Sequence, residues 1–129
     1  LRAATESDGW VLSGSIAGWD RAIEDLFDAV IFLFVPPAVR LGRLRARDLA
    51  RFGSVHEDFI EWAKKYDTAG LEMRSLITHE QWLSERTCRI LRMEGTPTKA
   101  DSLAHALAFV ETGDDAWVRS PRPEGNSCA

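Results

Sequence analysis

Five arginines fall between Pro37 and Phe52, at positions 40, 43, 45, 47 and 51. On a helix turning about 100° per residue, Arg40, Arg43, Arg47 and Arg51 project within about 80° of one another, and Arg45 points away. Guanidinium groups hold phosphate and carboxylate oxygens through paired N–H donors. A stripe of them can therefore clamp a polyphosphate or offset charge developing on a phosphoryl group in transfer. Neighbouring like charges cost such a helix a few tenths of a kcal/mol per pair. The bland use of the same residues is a solvated face, or one paired with acids of another element such as Glu57 or Asp58. Lysines are scarce: Lys64, Lys65 and Lys99 are the only ones among 16 basic residues.

A second candidate is the stretch GWVLSGSIAGW, Gly9 to Trp19. Gly9 and Gly14 have the spacing of the phosphate loop G-x-x-x-x-G-K-[ST], but Ser15 stands where the lysine is required, and no lysine precedes Lys64. The stretch is therefore not itself a triphosphate cradle. G-x-G-x-x-G and the serine-hydrolase elbow G-x-S-x-G are not matched either. The glycines read as turn residues, which leaves Ser13 and Ser15 at the end of an expected strand, Trp10 to Ser13, facing any ligand. The pairs His56-Glu57 and His79-Glu80 lack the spacing of metal ligands on one helix face, so no metal site is expected, and His79 reads as a packed or capping residue.

Other classes are excluded by totals. A net charge of −4 leaves no general basic surface for a nucleic-acid backbone, and the five tryptophans do not interleave with basic residues, so they read as packing groups. The longest apolar run, Ala29 to Ala38, is half of the ~20 residues a membrane span needs. Cys88 and Cys128 form neither a disulfide framework nor a zinc motif. With no secretory signal in the sequence given, the protein reads as cytoplasmic, in a reducing compartment.

The elements that must position these residues alternate. After the strand at Trp10, Asp20 caps a short helix with Ala22, Ile23, Leu26 and Phe27 on one side. AVIFLF then reads as a strand apolar on both faces, suited to the middle of a parallel sheet. Pro36 and Pro37 open a helix that ends near Gly53. A second helix follows in HEDFIEWAKKYD, with Glu61 and Lys65 paired outside, and a third over Leu71 to Leu83. CRILRMEG supplies a strand, and a last helix starts at Thr98 with Leu103, Leu107 and Val110 on its buried side. The fold class is α/β, a parallel sheet flanked by helices: one domain over 1–112 and a flexible tail over 113–129. Three strands make a thin sheet, and a further strand is expected from elsewhere.

This order and spacing resembles the middle of the P-loop nucleoside and nucleotide kinases of the adenylate kinase-like group. GWVLSGS corresponds to the strand and turn before a short helix, VIFLFVP to the next strand, and RLRAR to the motif leading into a mobile lid. FIEWAKKYDTAGLEMRS, HEQWL and ILRMEG resemble a bacterial branch described as AAA-family or adenylate kinase-like ATPases. The resemblance implies a P-loop kinase-like fold that binds ATP with Mg2+ and transfers or hydrolyses its γ-phosphoryl group, with a small-molecule nucleotide as partner. By the same resemblance Arg47 and Arg51 contact the nucleotide phosphates in catalysis, and Arg43 lies at or behind the binding site. Ser13 replaces an aspartate of the family, and Ser15 lies beside it. The family's first strand, P-loop and following helix would precede Leu1. This chain then corresponds to the C-terminal part, binding ATP weakly or not at all on its own. The competing expectation is a non-catalytic α/β interaction module whose arginine helix pairs with an acidic partner.

Overall fold

The structure is a computed structural model describing residues 9–113. A two-stranded parallel sheet organises it. Strand β1 (Ala29–Phe34) runs beside β2 (Arg89–Glu94), with Ala29 opposite Arg89 and Phe34 opposite Glu94. Parallel strands cannot be joined by a tight turn and need a long crossover. Here α2 (Pro37–Phe52), α3 (Glu57–Lys64), a 3-10 turn (Lys65–Asp67) and α4 (Leu76–Ser84) supply it. A single turn, α1 (Arg21–Glu24), precedes β1, and α5 (Lys99–Thr112) follows β2.

The ends of these helices follow from local chemistry. Proline fits the first turn of α2, where its missing N–H has no partner to lose, and Gly53, at φ +74°, closes it by donating to the Leu49 carbonyl. Asp20, Ser75 and Thr98 cap α1, α4 and α5 by accepting from the backbone N–H of Ala22, Thr78 and Asp101. Past β2 the Gly95 N–H donates to the Phe34 carbonyl at 3.0 Å, and its φ of +100°, in the region open to glycine, turns the chain out of the sheet.

Helices lie on both faces of the sheet. On one face Leu91, Met93 and the fully buried Phe109 of α5 form the core, with Ala29, Ile31 and Ala106 packed around them. On the other, α4 brings Glu80 to Arg92 and the His79 ring to within 6.1 Å of Phe32. Beside it Trp10, Phe27 and Trp82 meet edge to face at 5.3 and 6.4 Å, and the Arg86 guanidinium lies 4.6 Å over Trp82. Those tryptophans are packing groups, as expected; Trp117 and most of the tail over 113–129 lie outside the described residues.

Several expectations need correction. Trp10 to Ser13 is not a strand: among the described residues nothing offers it a ladder, and Val11 is 97% exposed. Ser13 and Ser15 therefore do not sit at the end of a central strand. Strand β1 is not sealed on both faces but is one of two strands among the described residues, with Leu33 64% exposed. Helix α4 starts at Leu76 rather than Leu71, because the Ser75 and Thr78 hydroxyls donate to the carbonyls of Gly70 and Met73 and hold the preceding segment in turns. Glu61 pairs with Lys64 in place of Lys65.

The buried side of α5 also differs. Ala106 and Phe109 face the sheet, while Leu103, Leu107 and Val110 are 59%, 49% and 58% exposed. Replacing Phe109 by Ala should cost about 3–5 kcal/mol, and replacing Leu107 by Ala less than about 1 kcal/mol. Urea unfolding midpoints of the two variants check the assignment.

Candidate functional site

The arginines of α2 do not act as one stripe, because acids from several elements divide them. Arg40 pairs with Asp67, donates to the Val35 carbonyl at 3.4 Å, and lies 5.0 Å over the Tyr66 ring. Arg45, the one pointing away from the stripe, takes Glu57 at 2.7 Å. Arg47 binds its neighbour Asp48 at 3.1 Å and lies 5.4 Å over Phe59. Arg51 lies 5.6 Å over Phe52, and neither it nor Arg43 has an acidic partner among the described residues.

Asp48 explains the arrangement at the end of α2. Its carboxylate is buried and accepts from the backbone N–H of His56 at 3.1 Å, from the His56 ring at 3.2 Å and from Arg47. The His56 N–H, foremost, and then Arg47 hold the Asp48 carboxyl below the usual carboxylate range, although burial opposes them. The same bonds tie α2 to the start of α3 and fix where Arg47 emerges.

Arg43 is placed elsewhere. It lines an open cleft of about 600 Å³ at the carboxyl ends of β1 and β2, whose floor is Leu33, Phe34, Val35, Met93 and Pro97. Lys99, the first residue of α5, lines the same cleft and has no acidic partner among the described residues. The carboxyl end of a parallel sheet is where α/β proteins take ligands. Two cations over an apolar floor suit a ligand with a flat apolar part and an anionic part.

A second polar group lies on the other face of the sheet. The Ser15 hydroxyl is 2.8 Å from His79 Nε2, and the Tyr66 hydroxyl is 2.7 Å from His79 Nδ1. Burial, foremost, and the nearby Arg74 push the His79 pKa down, so the ring is neutral at pH 7. Burial pushes the Tyr66 pKa up and keeps the phenol protonated.

Of the residues singled out in the sequence, then, Arg43 alone lines the cleft. Arg47 and Arg51 lie further along α2, Ser13 is exposed, and Ser15 engages His79. The sequence reading missed Lys99 at the cleft, although a Thr cap shortly after a strand places the next residue at a helix start. It also missed the tie between Ser15 and His79, 64 positions apart, for which no local pattern exists. No group of three or more potential metal ligands occurs among the described residues, and no helix there is long and apolar enough to cross a membrane.

Among curated proteins, the chain is similar to the Uncharacterized protein YqaC of Bacillus subtilis, 40% identical over 118 residues. The match covers 84% of this chain and 66% of that relative, so the chain spans just under two thirds of the relative's length. No protein-family profile and no solved structure matches.

The buried carboxylate gives a pH prediction. A folded-state pKa below the unfolded one stabilises the fold fully above the unfolded value and loses that contribution as pH falls through the folded one. Asp48→Asn should lower stability near neutral pH and make its fall below about pH 4 shallower. Thermal melts of both proteins from pH 7 to pH 3 measure it.

Proposed function

We propose that the cleft at the carboxyl ends of β1 and β2 binds a nucleotide, and that the chain is part of a kinase-like protein acting on the γ-phosphoryl group of ATP. The observation that carries this reading is the joining of two cations without acidic partners, Arg43 and Lys99, to an apolar floor. A base lies on Leu33, Val35 and Met93, and phosphate oxygens reach the guanidinium, the ammonium and the amides opening α5. Arg47 and Arg51 supply further positive charge along α2 for the phosphoryl group. Arg47 keeps most of its N–H donors for this while Asp48 holds one.

Two features limit what these residues do by themselves. The sequence has no lysine in a glycine loop to cradle a triphosphate. Among the described residues no three potential metal ligands converge, so the Mg2+ that accompanies ATP would be held mainly by the nucleotide's own phosphate oxygens. The alternative, an arginine helix awaiting an acidic partner, has less support: Arg40, Arg45 and Arg47 already have acids within the fold.

The experiment is a titration with ATP followed by amide chemical shifts. Weak binding is expected, with a dissociation constant on the order of 1 mM, equivalent to about −4 kcal/mol. Shifts should concentrate at residues 33–35, 93–99 and Arg43 and be lost in Arg43→Glu. Shifts centred elsewhere, or micromolar affinity that survives the charge reversal, would count against the assignment.

A further inference from the structure

The group formed by Ser15, His79 and Tyr66 is separate from the Arg43 cleft and is not used by the nucleotide reading. We propose that Ser15 is a nucleophile that accepts an acyl group from an activated ester, with His79 as its general base. A nucleophile within hydrogen-bond reach of a base, itself oriented by a third group, is the arrangement that activates a hydroxyl.

Each contact has a definite consequence. A neutral imidazole carries one N–H and one lone pair. In the tautomer that carries its proton on Nδ1 and donates to the Tyr66 oxygen 2.7 Å away, the lone pair on Nε2 accepts from the Ser15 hydroxyl at 2.8 Å, which is the direction proton removal requires. Tyr66 is held in turn: Arg40 lies over its ring and is itself fixed by Asp67 and the Val35 carbonyl. Phe32 of β1 meets the imidazole edge to face and limits its rotation. Gly14, at φ +133°, turns the chain just before Ser15.

In the step itself, the Ser15 oxygen bonds to the acyl carbon, its proton passes to His79 Nε2, and the C–O bond to the leaving group breaks. His79 returns that proton to the departing oxygen, so the alcohol or phenol leaves, the imidazole is neutral again, and the serine is left acylated. Tyr66 offers Nδ1 a neutral oxygen in place of a carboxylate, and the nearby Arg74 opposes an imidazolium. The base is therefore weak, which confines the chemistry to esters with good leaving groups and makes release of the acyl group slow.

The test uses p-nitrophenyl acetate with the full chain at pH 7.5, reading nitrophenolate release and mapping the acetyl group by peptide mass. The expected result is a burst of about one equivalent followed by slow turnover, with the acetyl group on Ser15. The burst should vanish in Ser15→Ala and slow about 100-fold in His79→Ala, the low end of what a general base contributes. Tyr66→Phe keeps the base and loses its orienting group, so it should slow acylation while leaving the far-ultraviolet circular dichroism unchanged. This variant keeps the proposal open to refutation if His79→Ala fails to fold. Acetylation confined to lysines or to His79, no burst, or equal rates with and without the imidazole in folded variants would overturn it.

Discussion

The parallel pairing of Ala29–Phe34 with Arg89–Glu94 is the constraint on which the other elements depend. Because the strands run the same way, the chain must travel from the top of β1 back to the foot of β2, and α2, α3 and α4 are what that journey consists of. The return sets both carboxyl ends side by side, so the residues that leave the sheet there, Val35 to Arg43 on one side and Gly95 to Lys99 on the other, open onto one cleft. It also leaves α4 against the face opposite α5, which is how His79 comes to face Phe32. Both candidate sites are thus products of one strand register.

A helix with five arginines and a single acid of its own is an unfavourable object in isolation. The fold answers with carboxylates from three places: Asp67 from the turn after α3, Glu57 from the start of α3, and Asp48 from α2 itself. Asp48 differs from the other two because it is buried and bonds the backbone of His56 as well. It couples charge balance to the α2–α3 corner. Arg43 and Arg51 are the two left without an acidic partner among the described residues.

Helix boundaries were legible where the signal is local. Pro37, Gly53 and Thr98 each act through their own backbone geometry or a bond reaching three or four residues, and α2 and α5 begin or end there. The two strands were legible as short apolar stretches, the first a β-branched and aromatic run and the second centred on Ile90 and Leu91. Trp10 to Ser13 has the same composition and forms no strand, because a strand exists only where a neighbour completes its ladder. The orientation of α5 failed differently. Periodicity marked Leu103, Leu107 and Val110, yet the sheet presents a narrow surface, and Phe109 with Ala106 fills it. The candidate site was legible in kind, as arginine chemistry on α2, but not in membership, since the pairing of Arg40 with Asp67 and the meeting of Lys99 with Arg43 depend on tertiary approach.

The outer edge of β1 has one more consequence. Its row of amide and carbonyl groups meets no second strand among the described residues, and the residues carrying it read AVIFLF. An unpaired apolar edge is a template for any extended segment that reaches it. Pairing of two such edges is a bimolecular event, so self-association through β1 would rise with protein concentration and fall on dilution.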